Sequence, residues 1–263
     1  MTGEVLLEVD SGVAVVTLNA PQRRNALTPP MARDLIAVFD EVDAREEVGA
    51  LVVRGVGRSF CAGGDVQTLL EAGRDPAAPE TYTAMGAIYD CFYRLGQVEV
   101  PTIAAVRGSA VGAGMNMLLA ADLRIVARDV RLICGFLRRG LHPGGGHFVL
   151  LSRLVGREAA AAMALFGEQV DGERAVQLGL AWETVDDAAV EDRAMELAAG
   201  VWHGLQSAPS ASRRGRRTSA GRLRRSSSDR PRCGRCAAHR ARRRPRGWRA
   251  IFEYCGNGRA LIG

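Results

Sequence analysis

Apolar residues recur along this chain with two spacings, one typical of strands and the other typical of helices. Short apolar runs at 5–9 and 13–18 flank turn residues 10–12 and predict a β-hairpin. Thr28 and the two prolines after it match a helix N-cap and first turn, and helical spacing then continues to about residue 46. Strands and helices alternate beyond this point, which predicts an α/β layered fold. The remaining predicted strands are 50–53, 101–106, 123–127 and 181–185, and the remaining predicted helices are 66–71, 80–96, 115–119, 148–154, 158–166, 173–178 and 188–201.

Two glycine-rich corners follow two of the predicted strands, at 60–65 and 108–114. Each corner joins the end of a buried strand to the start of a helix. Backbone N–H groups lack partners at such a position, and the helix dipole favours negative charge there. The two corners together predict a pincer of N–H donors around one carbonyl oxygen, where developing negative charge would be stabilised.

Charge divides the chain into two parts. Residues 1–204 contain 18 Arg and 27 acidic residues, a net charge of −9, whereas residues 205–263 contain 17 Arg and 2 acidic residues, a net charge of +15. The sequence therefore predicts a globular domain over 1–204 and an Arg-rich tail over 205–263. The chain contains no Lys, which excludes Schiff-base lysine chemistry and the lysine of a phosphate-binding P-loop.

The Arg-rich tail has hardly any apolar periodicity between residues 212 and 249. One interpretation is a nucleic-acid-binding arm, but the segment lacks Lys, interleaved aromatic residues and any recognisable module. The other interpretation is a frameshift. The composition is rich in Arg, Ala and Gly and contains no Lys, which indicates a GC-rich gene. Such a gene yields an amino-acid sequence of this kind when it is translated out of frame. We favour the frameshift over a nucleic-acid partner, and we expect the tail to be disordered if it is genuine.

The remaining composition favours a cytoplasmic protein without a metal. No apolar run reaches the ~18–20 residues needed to cross a bilayer, and the N-terminus resembles no signal peptide. Cys61, Cys91 and Cys134 are accordingly expected as reduced thiols. His142 and His147 flank a triple glycine but have no neighbouring acidic or Cys partner, so we expect no metal site.

Seven motifs occur in an order that resembles the crotonase superfamily, which includes the enoyl-CoA hydratases and isomerases. The resemblance covers about residues 4–204. It implies a spiral of ββα units, assembly as a homotrimer or hexamer, and an acyl-CoA thioester ligand, with coenzyme A as part of the substrate and no separate cofactor. The helical C-terminal region that the resemblance implies is not matched by the tail. The motifs are 21–27, 60–65, 101–106 with 108–114, 120–124, 140–146, 156–157 and 179–181.

The same resemblance assigns roles to residues at both glycine corners. It implies that the N–H groups of Gly64 and Ala113 form an oxyanion hole, in agreement with the pincer predicted from the corners. It places Ala62 along the adenine. The other positions that it implies for substrate binding are Arg23, Arg24, Ala26, Arg58, Asp65 and Gly112. The three arginines match basic positions near the CoA phosphates, where guanidinium groups suit phosphate oxygens; a solvated surface charge is the alternative for each.

Two positions depart from the pattern of the hydratases that this chain resembles. Asn116 and Phe136 stand where the resemblance implies a pair of catalytic glutamates, and neither side chain can exchange a proton. His142 is then the best single candidate for a base. One hypothesis is an enoyl-CoA hydratase-like lyase or isomerase of fatty acid metabolism that stabilises an enolate. The alternative is a catalytically silent acyl-CoA-binding protein.

Overall fold

The computed structural model describes residues 3–207. Its strands are β1 (Val5–Asp10), β2 (Val13–Leu18), β3 (Ala50–Gly55), β4 (Thr102–Val106), β5 (Ser109–Val111), β6 (Leu123–Ala127), β7 (Arg131–Ile133) and β8 (Glu183–Val185). Its helices are α1 (Pro29–Ala44), α2 (Val66–Arg74), α3 (Pro79–Leu95), α4 (Ala113–Ala120), α5 (His147–Ala164), α6 (Gly172–Gln177) and α7 (Val190–Gln206). None of the described helices is both long and apolar enough to cross a membrane.

The main sheet has six strands in the order β1-β2-β3-β4-β6-β8. β1 and β2 pair antiparallel as the predicted hairpin, and the other neighbours pair in parallel. Parallel strands need helical crossovers, and the chain supplies them between successive strands of this sheet. The predicted α/β class is confirmed.

A second, two-stranded sheet lies beside the main one and consists of the short strands β5 and β7. β4 is followed by the short β5 and then α4, and β6 is followed by the short β7 and then α5. β5 and β7 pair in parallel, and a bridge between Cys61 and Ala110 carries the same layer back to the chain after β3. Each turn is thus a ββα unit, as expected.

The predicted apolar face of α1 is buried, and the helix packs against α3. Thr28 is its N-cap and accepts a hydrogen bond from the backbone N–H of Met31 at 3.3 Å. α5 is interrupted at Gly156, whose φ of 76° and ψ of 173° are non-helical. This break separates the two helices that the sequence predicts there.

The short strands β5 and β7 are not among the strands predicted from the sequence, because three residues are too few to show a hydrophobic period.

The predictions for the Arg-rich tail lie outside the described residues. The exception is 205–207, which are at the end of α7 and just after it.

Candidate functional site

The first glycine corner is tied by backbone hydrogen bonds to the loop that precedes α1. Leu27 donates from its N–H to the carbonyl of Gly63 at 2.7 Å, and its carbonyl accepts from Asp65 at 2.9 Å. Ala62 donates to the carbonyl of Arg24 at 2.9 Å. The Asp65 carboxylate caps α2 by accepting from the N–H of Gln67 at 3.2 Å. Asp65 is therefore a helix cap at this corner.

The second glycine corner packs directly on the first. Val111 donates to the carbonyl of Cys61 at 3.0 Å. A Cβ at Gly114 would lie 2.2 Å from that same carbonyl oxygen, and a Cβ at Gly63 would lie 2.8 Å from the carbonyl oxygen of Val111. Gly63 also has a φ of +101°, which favours glycine. Only glycine at both positions permits this approach.

Two amide groups at this contact have no acceptor in the part of the chain that the structure describes. Within residues 3–207 no hydrogen-bond acceptor is paired with the N–H of Gly64 or of Ala113, and both residues are partly exposed. Ala113 is the first residue of α4, and Gly112, the N-cap with φ +53°, turns the chain into that helix. The position that a Cβ of Gly63 would occupy lies 3.7 Å from the Ala113 nitrogen. The two corners therefore lie in direct contact with each other.

A buried hydrogen-bonded chain begins one turn into α4 at Asn116. Its Nδ2 donates to the carbonyl of Gly144 at 3.0 Å, and its Oδ1 lies 2.7 Å from Nδ1 of His147. Nε2 of His147 lies 3.0 Å from Sγ of Cys134. Because Oδ1 can only accept, Nδ1 of His147 carries the proton, and Nε2 accepts from the Cys134 thiol.

Burial keeps both titratable members of this chain neutral. The His147 side chain is fully buried, and desolvation lowers its pKa to about 4. Desolvation raises the pKa of Cys134 to about 12. The thiol is therefore protonated at neutral pH and is a hydrogen-bond donor rather than a nucleophile.

Phe136 closes one side of the same cluster. Its ring meets the ring of His147 edge to face, with centroids 4.9 Å apart. A Cβ at Gly112 would lie 3.8 Å from the Phe136 ring. The structure thus brings Asn116 and Phe136 together around His147, while the Asn116 amide is already engaged by Gly144 and His147.

The two histidines that flank the triple glycine have different surroundings. His142 is exposed, and its ring centroid lies 6.0 Å from that of Phe148. His147, at the start of α5, is the histidine that contacts Asn116. The sequence analysis favours His142 over His147 as the candidate base. The residue pattern does not show which of the two rings is buried.

Tyr89 of α3 also contacts this region and is absent from the sequence-based candidates. A Cβ at Gly144 would lie 2.4 Å from the Tyr89 hydroxyl oxygen. A Cβ at Gly145 would lie 2.7 Å from Nδ2 of Asn116 and 3.0 Å from the Tyr89 ring. Burial raises the pKa of the phenol. The helical spacing of Ile88 and Phe92 predicts a buried face nearby but not this hydroxyl.

A basic cavity of about 780 Å³ lies beside the first corner. Arg24 and Arg58 line it, as does Arg131, and none of these three has an ion-pair partner within residues 3–207. Arg107 lines it as well but is paired with Asp187 at 2.6 Å. The other lining residues are Gly57, Ser59, Gly108 and Asp129.

Arg23 differs from its neighbour Arg24. Its guanidinium forms an ion pair with Glu4, which raises the pKa of Arg23 and lowers that of the Glu4 carboxyl. Its Nε donates to the carbonyl of Ala26 at 2.9 Å. The Arg23 guanidinium thus binds neighbouring residues of the fold, and Arg23 does not line the basic cavity.

Comparisons with known proteins agree with this architecture. A family model described as enoyl-CoA hydratase/isomerase matches residues 8–214. A protein of Mycobacterium tuberculosis named a probable enoyl-CoA hydratase is 45% identical over 196 residues, covering 74% of each chain. The 1,2-epoxyphenylacetyl-CoA isomerase of Escherichia coli is 36% identical over 199 residues, also covering 74% of each chain. The crystal structure of an enoyl-CoA hydratase from Mycobacterium smegmatis matches with a TM-score of 0.74 and 29% identity, over 84% of this chain and 82% of that one. These matches confirm the resemblance carried by the seven motifs, and the chain belongs to the enoyl-CoA hydratase/isomerase family.

Proposed function

We propose that this protein binds an acyl-CoA thioester and polarises its carbonyl oxygen with the backbone N–H groups of Gly64 and Ala113. The observation that carries the proposal is a pair of amides, at two corners packed directly on each other, that find no acceptor within residues 3–207. Ala113 adds the positive end of the α4 dipole. Negative charge on the thioester oxygen, as in an enolate, is the charge that such a pair stabilises.

The coenzyme A portion of the proposed ligand would occupy the basic cavity. Arg24 and Arg58 line it, have no ion-pair partner among the described residues, and suit phosphate oxygens. Ala62 lies between these arginines and Gly64 along the chain, which fits its proposed place beside the adenine. Ala26 and Gly112 adjoin the same two corners and would contact the substrate through their backbone.

The proton chemistry of the proposed enzyme differs from that of a glutamate-pair hydratase. Asn116 and Phe136 stand at the positions implied for the two glutamates, and neither exchanges protons. The Asn116 amide is moreover held by Gly144 and His147, both at hydrogen-bond distance. We therefore expect enolate stabilisation to be retained and hydration of an enoyl thioester to be slow.

The same observation favours a second candidate function, acyl-CoA binding without turnover. A side chain fixed at both ends, as Asn116 is, cannot reorient to deliver a proton or a water. The homotrimer or hexamer implied by the family resemblance is compatible with either function, and light scattering on the full chain tests that assembly.

A direct test combines binding with turnover on the full-length protein. Crotonyl-CoA is titrated calorimetrically, and its hydration is followed by loss of enoyl absorbance. Binding with hydration supports the enzyme, and binding without hydration supports the silent protein. If crotonyl-CoA and other short acyl-CoA thioesters fail to bind, both functions are refuted.

Ala113→Pro tests the proposed oxyanion donor itself. Proline is well tolerated at the first position of a helix and removes only an N–H that has no helical partner. Loss of one such donor reduces turnover by about 100- to 1,000-fold, and it also weakens thioester binding. Val66→Pro is the matched control, because Val66 is the exposed first residue of α2. Wild-type binding and turnover in Ala113→Pro would refute the assigned role.

A further inference from the structure

The basic cavity contains carboxylates as well as guanidinium groups. Its charged lining residues are four arginines and two aspartates: Arg24, Arg58, Arg107, Arg131, Asp129 and Asp187. The arginines suit phosphate oxygens, whereas an aspartate in the same wall repels the negative charge of a phosphate. An anion that enters this cavity therefore meets attraction and repulsion together.

Asp187 binds one of these arginines directly. Its Oδ2 accepts from Nη2 of Arg107 at 2.6 Å and from Nε of Arg107 at 2.9 Å. Two sides of the guanidinium that could donate to a phosphate oxygen are thus engaged by a carboxylate of the protein itself. Arg107 is the one cavity arginine with an ion-pair partner among the described residues.

Arg107 has a second carboxylate partner, which does not line the cavity. Glu191, in the first turn of α7, accepts from Nη1 of Arg107 at 3.1 Å and from Nη1 of Arg54 at 2.7 Å. Asp187 lines the cavity and Glu191 does not. Loss of the Asp187 contact therefore leaves Arg107 bound to α7, so Asp187 is the partner that a ligand in the cavity can replace.

The ion pair between Arg107 and Asp187 is open to an incoming anion. The two side chains are 35% and 41% exposed, so ions in solution reach the pair. An exposed pair of this kind contributes little to stability. A phosphate group carries more negative charge than a carboxylate and has more acceptor oxygens, which favours its exchange with Asp187 at the guanidinium.

We propose that Asp187 is an internal competitor for phosphate in the basic cavity: it occupies Arg107 until a phosphate group of the ligand replaces it, and so lowers the affinity of the cavity for anions. The proposal rests on the proposed placement of the coenzyme A portion in this cavity. It adds Arg107 to the contacts of the ligand, and it makes Asp187 a residue that sets how tightly the phosphates are held.

Inorganic pyrophosphate tests this exchange, because it presents phosphate groups without the rest of coenzyme A. It is titrated calorimetrically into full-length wild type and Asp187→Asn at low ionic strength. Asp187→Asn frees Arg107 and removes one negative charge, so it should bind pyrophosphate about 3- to 10-fold more tightly. Asp186→Asn is the matched control and should keep the wild-type affinity, because Asp186 pairs with exposed Arg128 and does not line the cavity.

Arg107→Met separates competition for the guanidinium from general repulsion. If Asp187 occupies Arg107, this substitution should weaken pyrophosphate binding about 3- to 10-fold in the Asp187→Asn background and by less than about 2-fold in wild type. Equal losses in the two backgrounds would mean that Asp187 acts only through its charge, and they would overturn the proposed exchange.

The remaining outcomes also decide the question. Unchanged or weaker pyrophosphate binding in Asp187→Asn overturns the proposal, and so does absence of pyrophosphate binding to both proteins. Crotonyl-CoA is titrated in parallel. If it binds with the same affinity to wild type and Asp187→Asn, the exchange with the coenzyme A phosphates is overturned while thioester binding stands. If it binds to neither protein while pyrophosphate responds as expected, the proposed function is refuted and the competition at Arg107 stands.

Discussion

Protonation of His147 should cost this protein a measurable part of its stability at mildly acidic pH. The ring is fully buried between Asn116 and Cys134, and burial lowers its pKa from 6.5 to about 4. The unfolded chain therefore binds a proton near pH 6.5, whereas the folded protein resists it until about pH 4. Stability is fully present above about pH 6.5 and falls as pH approaches about 4, by about 1.4 kcal/mol per pH unit within that window.

Between about pH 7.5 and pH 5 this linkage amounts to about 2 kcal/mol of unfolding free energy. Urea unfolding at the two pH values measures it for wild type and for His147→Gln, which has no imidazole to protonate. Wild type should lose about 2 kcal/mol more than His147→Gln over this interval. Other acid-sensitive groups, such as the Glu4–Arg23 pair, remain in both proteins and cancel in the comparison.

His142→Gln is the matched control, because His142 is exposed at the other side of the triple glycine. It should show the wild-type pH dependence. Equal pH dependence of stability in wild type and His147→Gln would refute the argument, since it would mean that His147 titrates alike in the folded and unfolded chains.

Two further predictions concern contacts that support the site. Gly114→Ala should cost about 2–3 kcal/mol and weaken acyl-CoA binding, because its Cβ would overlap the Cys61 carbonyl. Gly200→Ala, in open space on α7, should instead stabilise by up to about 1 kcal/mol; urea unfolding and thioester titration check both. Arg124→Met should cost about 2–4 kcal/mol in urea unfolding, because buried Arg124 donates to the carbonyls of Leu180 and Ala121. Arg128→Met, which breaks only exposed ion pairs, should change stability by less than about 1 kcal/mol, and equal effects of the two arginine variants would contradict this reasoning.

Features encoded by neighbouring residues were predictable from the sequence. The β1–β2 hairpin follows from two apolar runs around a turn, and α1 follows from the Thr28 cap and its apolar spacing. Both glycine corners follow from glycine-rich runs placed after buried strands. In each case a short stretch of chain contains the whole physical reason for the structure.

Features that depend on distant residues were not predictable in the same way. β5 and β7 contain three residues each and exist because Ser109–Val111 pairs with a segment about twenty residues later. The cluster around His147 joins residues from α4, the chain after β7 and the start of α5. Periodicity shows that such positions are buried, but not which atoms meet. Tyr89 was missed for this reason.

The proposed oxyanion donors and the side chains available for proton transfer depend on the sequence in different ways. The proposed oxyanion donors are backbone N–H groups, so they persist as long as Gly63 and Gly114 allow the corners to touch. Proton transfer depends on side chains, and here Asn116 and Phe136 surround a histidine that burial keeps neutral. A carboxylate at position 116 would face that imidazole in a site without water. Either the carboxylate would be a buried charge or the imidazole would have to be protonated, and both cost free energy. Asn116 satisfies the same hydrogen bonds without charge. The absence of the acidic pair that the family resemblance implies at these positions is therefore compatible with this fold and with the proposed thioester binding.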